Sequence, residues 1–304
     1  MKRFLDCSFS QMEAMSKQEL LESLEASEGR ILISECTLCS DNVLHGITNA
    51  EISATFGADI LLLNMFDVNH PFIQGIEGVV EQDVIKELKR LTGRLVGVNL
   101  EPIDSNQKTI GEIQSICEGR QASVETAKKA KELGIDFILL TGNPGTGVSN
   151  DTIVENLKVM KKAVGDSMVL MAGKMHAAGS KKEAGEHIIT KQTIRDFVDA
   201  GADVILIPAP GTVPGITLDY VKELVTYAHS LDALTLTSIG TSQEGADEAT
   251  IREIALLCKM SGTDLHHIGD AGFAPVVPES IMAYSIVIRG KRHTYARMAR
   301  SINR

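Results

Sequence analysis

Tryptophan is absent from the 304 residues, and aromatic residues make up only 4% of them. The interior must therefore be built from Ile, Leu, Val, Met and Ala, the side chains that suit a sheet wrapped in helices. No apolar run reaches the roughly 18 residues needed to span a bilayer. The N-terminus "MKRFLDCSFS" carries two basic residues with no apolar stretch behind them, so it does not read as a secretory signal. Cysteine is scarce and odd in number, at positions 7, 36, 39, 117 and 258. That pattern fits reduced thiols in a cytoplasm and argues against a disulfide framework. Excess positive charge is also missing: the formal net charge is −10. An acidic chain of this kind is a poor partner for nucleic acid.

What is present is enough apolar material, 43%, for a sizeable core, and a short repeat. "FGADILLL", "LGIDFILL", "AGADVILI" and "SGTDLHHI" each hold Gly, one residue, Asp and then four strand-like positions, with the glycines at 57, 134, 201 and 262. Each glycine follows a helical segment, where a left-handed residue ends the helix. The apolar run after it reads as a buried parallel strand. Four more such runs alternate with these: "RILISEC" from 30, "RLVGVNLE" from 94, "SMVLMAG" from 167 and "LTLTSIG" from 234. Amphipathic stretches such as "EQDVIKELKRL" and "DTIVENLKVMKKAV" fill the gaps. Eight strands in strict βα alternation predict a (β/α)8 TIM barrel formed by residues 1–304 as one domain, with no linker. "SKQELLESLEAS", ahead of the first strand, is expected to cap the barrel floor, and "PESIMAYSIVIRGKRHTYARMARS" to be the last outer helix. A doubly wound open sheet is the alternative, but "SECTLCSDN" after the first strand lacks the G-x-G-x-x-G turn usual there.

In such a barrel the site lies at the C-terminal strand ends. There the sequence offers Glu35, Asn64, Asn99, Glu101, Thr141, Asn143, Lys174, His176 and His267. A charged side chain at an inward strand end is costly unless it is paired or used. Lys174, Glu101, His176 and His267 are therefore the catalytic candidates, and Asn64, Asn99, Thr141 and Asn143 the substrate-binding ones. Strand alternation points His267 into the barrel and turns His266 towards the helices. The Gly-rich loops "SIGTSQEGAD" and "IGDAGFAP", after strands 7 and 8, stand where many barrels bind phosphate. Ser238, Gly240, Thr241, Gly269 and Gly272 are the expected donors; Glu244 and Asp270 count against an anion there. A divalent metal such as Mg, if used, would draw on Glu35 and Glu101. "TGNPGTGVSN" and "HPFIQGIEG" read as loops over the mouth. The "CTLC" pair lacks a second cysteine or histidine pair at zinc spacing. The basic C-terminus reads as a solvated helix end.

Part of the chain, roughly residues 55 to 225, resembles the BtpA family, named for photosystem I biogenesis. The similarity rests on "GADILLLNMFDVNHPF", "RLVGVNLEP", "VLMAGKMHAAGS" and "AGADVILIPAPGTVPGITLDYVKEL". Its most specific piece is the run Lys174-Met175-His176-Ala177-Ala178. The resemblance implies a barrel related to the ribulose-phosphate-binding group, without a transferable photosynthetic role. "SIGTSQEGAD" and "HHIGDAGF" depart from the "VGT" or "VGS" turns of that group. Together these readings anticipate a cytoplasmic, homo-oligomeric enzyme of small phosphorylated metabolites, of isomerase or aldol-lyase type. Two alternatives stand beside it: a non-catalytic barrel that binds a ligand or protein, and a metal-dependent lyase similar to phosphoenolpyruvate mutase.

Overall fold

The computed structural model describes residues 2–103, 116–142, 144–177, 184–270 and 275–304. Eight parallel strands close into a barrel in sequence order. They are β1 (Ile31–Thr37), β2 (Ile60–Asn64), β3 (Leu95–Leu100), β4 (Phe137–Leu140), β5 (Val169–Gly173), β6 (Val204–Pro208), β7 (Leu234–Ile239) and β8 (Leu265–Ile268). The helices are α1 (Phe9–Glu13), α2 (Lys17–Glu25), α3 (Asn49–Thr55), α4 (Val84–Thr92), α5 (Val124–Glu132), α6 (Asn150–Val164), α7 (Lys191–Ala200), α8 (Leu218–His229), α9 (Glu248–Ser261) and α10 (Pro278–Ala299). The barrel closes where β8 pairs with β1, Ile33 standing beside His267.

The strands are buried on both faces, which is why they appear in the sequence as nearly unbroken apolar runs. Alternate residues fill the lumen: Ile33, Leu62, Leu139, Met171, Leu206 and Leu236 belong to one apolar cluster. Phe4, Met12, Leu20 and Leu24 join that cluster from below, so the N-terminal segment and α2 plug the floor as expected. Phe137 fills the lumen beside Gly97; a Cβ at Gly97 would lie 2.0 Å from its ring, which only glycine avoids.

The Gly-x-Asp repeat has a structural function at the floor. All four glycines are left-handed, with φ of 111°, 86°, 112° and 87° at Gly57, Gly134, Gly201 and Gly262. The aspartate that follows clamps the preceding strand. Asp59, Asp136, Asp203 and Asp264 accept the backbone N–H of Leu32, Val96, Leu170 and Thr235 at 2.8, 2.7, 2.8 and 2.7 Å. In each case that N–H belongs to the second residue of the neighbouring strand. Every clamp is also paired with a basic side chain: Asp136 with Lys89, Asp203 with Lys17 and Asp264 with His229. Asp59 is held by Arg289 and Arg297 of α10. Arg297 and Arg289 are only 2% and 6% exposed. The basic C-terminal stretch is thus not wholly a solvated helix end: two of its arginines reach inward to a buried carboxylate.

A cavity of about 470 Å³ opens beside His229 and Asp264 at this floor end. In barrels that end reports on stability, and chemistry sits at the other. No helix among the described residues is long and apolar enough to cross a membrane.

Candidate functional site

At the C-terminal ends, four strands contribute to one buried polar chain. Register places Ser238 of β7 beside His267 of β8, and Ile33 of β1 on the other side of His267. The next lumen-facing residue up β1 is Glu35. The Ser238 hydroxyl lies 2.9 Å from His267 Nδ1. Glu35 Oε2 lies 3.1 Å from His267 Nε2, although the contact lacks the alignment of a good hydrogen bond. Asn99 of β3 donates Nδ2–H to Glu35 Oε1 at 2.6 Å. His267 is completely buried and looks into the barrel as the alternation requires.

His266 faces the other way. It lies 3.2 Å from the Tyr284 hydroxyl of α10 and 3.0 Å from the Gly29 carbonyl. Burial, with no charge partner strong enough to offset it, lowers its pKa to about 4. It is a neutral packing residue behind the site.

A second set of carboxylates caps the same sector. Asn64 Nδ2 donates to Asp270 Oδ2 at 2.9 Å, joining the end of β2 to the turn after β8. Glu244, in the loop after β7, is buried. Its Oε2 accepts the Thr241 N–H at 3.2 Å. Burial holds its carboxyl above the ordinary range; the nearby Asp270 charge adds to this, while backbone N–H bonds oppose it.

The expected phosphate donors are largely engaged inside the protein. Ser238 meets His267, Thr241 N–H meets Glu244, and Gly269 N–H donates to the Ile239 carbonyl at 2.8 Å. Met175 packs against Gly240, its Sδ 2.2 Å from where a Cβ would stand, so a side chain there would have to displace it. Gly272 and Asn143 lie outside the described residues.

The remaining candidates follow the C-terminal ends of the neighbouring strands β3, β4 and β5. Lys174 follows the last residue of β5 and is only 1% exposed. His176 is half-buried, and burial lowers its pKa from the usual imidazole value. Thr141 is buried at the end of β4. Glu101 is bound by a residue that the sequence did not single out: Arg120 Nη2 donates to Glu101 Oε1 at 2.5 Å. Its other oxygen, Oε2, is buried without a hydrogen-bond partner among the described residues. Burial, the largest influence, raises the Glu101 pKa against the pull of Arg120.

The donor set suits a metal poorly. Glu35 is committed to Asn99 and His267, and Glu101 to a guanidinium that would repel a second cation. Among the described residues no group of three or more His, Cys, Asp or Glu is arranged to hold an ion. The Mg expectation at Glu35 and Glu101 therefore does not fit the site. Nor does "CTLC" form a cluster. Cys36 packs beside Ser53 of α3, its thiol pushed by burial to about 12, while Cys39 is exposed.

Two solved barrels are similar in fold. One is an archaeal fructose 1,6-bisphosphate aldolase: 16% identity, 87% of this chain and 96% of that chain, TM-score 0.54. The other is a Schiff base forming fructose-1,6-bisphosphate aldolase, with the same identity and coverage and a TM-score of 0.55. At such identity the likeness is one of architecture. No curated protein matches the sequence. The family match also differs from the resemblance noted in the sequence: it is not to BtpA. The chain belongs to the family described as "Domain of unknown function (DUF7916)", whose model matches residues 5–304.

Proposed function

We propose that this barrel is an enzyme of small phosphorylated carbonyl compounds, working by aldol-lyase or isomerase-type chemistry at its C-terminal mouth. The observation that carries the reading is Lys174, a primary amine 1% exposed immediately beyond β5. A lysine buried at a strand end is kept there by pairing or by use, and nucleophilic catalysis is one such use. The two similar barrels are aldolases of a phosphorylated ketose, one of them Schiff base forming, which supports the reading by analogy.

In this reading Nζ attacks the substrate carbonyl carbon. The oxygen departs as water once it has received two protons, leaving an iminium. The adjacent carbon–carbon bond then breaks, its electron pair passing into the iminium to give an enamine, as the β-hydroxyl loses its proton. Protonation of the enamine carbon and attack of water on the restored iminium then break the Nζ–C bond and release the carbonyl product. Glu101 Oε2 and His176 are the proton carriers on this side of the mouth. Thr141 and Asn99 orient the substrate. Gly240 and Thr241, in the loop after β7, hold the phosphate, while Ser238 and the Gly269 N–H stay engaged with His267 and the Ile239 carbonyl. Such remote binding energy fixes the reacting carbon.

The test is a panel of phosphorylated ketoses and aldehydes followed by proton NMR. Wild-type protein is expected to consume at least one. Lys174→Met, with an unchanged unfolding midpoint, is expected to be about a thousandfold slower. Equal turnover by the variant, or no turnover of any member by the wild type, overturns the reading.

A further inference from the structure

We propose that the turn after β7 is an anion site occupied by the protein's own side chains, and that a phosphate monoester enters by displacing Glu244 and Gln243. The inference rests on the phosphate reading above and adds how that site is kept closed.

Three donors converge in this turn. Thr241 N–H is bound to Glu244 Oε2 at 3.2 Å. Ser242 N–H is directed at Gln243 Oε1 at 3.4 Å. The Thr241 hydroxyl has two acceptors in reach, Gln243 Oε1 and, at 3.3 Å, the Thr212 carbonyl. Two successive backbone N–H groups and a hydroxyl are what a turn presents to phosphate oxygens. Here each meets a side-chain oxygen from one to three residues further along, so carboxylate and carboxamide stand where ligand oxygens would.

Glu244 is an awkward occupant. It is 3% exposed, and its carboxyl carbon lies 3.6 Å from where a Cβ on Gly269 would stand. It therefore bridges the loops after β7 and β8. Asp270, also buried, follows Gly269 directly, and its charge acts against a charged Glu244. Asn64 binds Asp270 from β2 and fixes that carboxylate there. The tethered carboxyl competes with a ligand for the same donors, so the apparent affinity is lowered by the fraction of time the turn is open.

The experiment is calorimetric titration of the full chain with inorganic phosphate, together with amide NMR. Glu244→Ala is expected to bind about tenfold more tightly than wild type, with the Thr241 and Ser242 amide resonances shifting on titration. Glu244→Gln, which keeps the shape and removes the charge, is expected to gain as well, and it carries the test if the alanine variant does not fold. Equal binding by wild type and both variants overturns self-occupation while leaving the phosphate reading standing. No binding by any of the three overturns both. Tighter binding that shifts resonances elsewhere overturns the placement in this turn.

Discussion

His267 on β8 and Glu35 on β1 meet at the seam where the barrel closes, with Nε2 of the histidine 3.1 Å from Oε2 of the glutamate. Ser238 and Asn99 extend the contact on either side, so four strands are tied by one polar chain inside an apolar lumen. Removing one member leaves its neighbour buried and less well satisfied. Glu35→Gln and His267→Gln are each expected to destabilise the barrel. A double-mutant cycle by urea unfolding should return a coupling of about 1–3 kcal/mol. Additive effects would mean that the pair does not act as a unit.

At the opposite end, Asp59 joins β1, β2 and α10. Burial alone would raise its pKa, but Arg289 and Arg297 overcome that and hold the carboxyl below its usual value. Asp59→Ala strands two buried guanidiniums and is expected to cost about 3–5 kcal/mol by denaturant unfolding. Because the native pKa is depressed, this contribution is present above about pH 4 and fades as pH falls through the native value. A loss below about 1 kcal/mol would contradict the clamp.

His266 sets a different pH dependence. Its native pKa of about 4 lies below that of an exposed imidazole, because burial disfavours the charged ring. The unfolded chain therefore binds more protons between about pH 4 and pH 6.5, so stability should rise with pH across that window and be lost as pH falls through it. His266→Gln is expected to flatten the slope, read from unfolding free energies at several pH values. An unchanged slope would place the acid sensitivity elsewhere.

All eight strands were legible because parallel barrel strands, covered on both faces, leave long apolar runs between helical segments. Alternation put His266 and His267 on opposite faces, and only the added assumption that Gly269 continues the inward face turned His267 to the lumen. The seven-residue helix α3, "NAEISAT", was not read, because two turns carry too little periodicity. The repeat aspartates were visible, but not their task. Their backbone partners lie 27, 40, 33 and 29 residues earlier and become neighbours only when adjacent strands pair.

The site was half legible by the same logic. Strand ends named Glu35, Asn64, Asn99, Glu101 and Lys174 as polar groups at the mouth. Their partners were hidden, since side-chain pairing depends on the barrel's stagger. Arg120, in the unremarkable run "CEGRQA", takes Glu101. Glu244 and Asp270 were read as obstacles to an anion, but their partners Thr241 and Asn64 could not be read from the sequence. Arg289 and Arg297 looked like surface charge because burial of a long helix cannot be read from its composition.

The proposed role of Lys174 is tested most directly by trapping. The protein is incubated with fructose 1,6-bisphosphate and other phosphorylated carbonyl compounds, reduced with borohydride, and its intact mass and peptides are measured. A covalent adduct with at least one compound, mapped to Lys174 and absent from Lys174→Met, is the expected result. No adduct with any compound, or an adduct that persists in the variant, would contradict imine chemistry at Lys174.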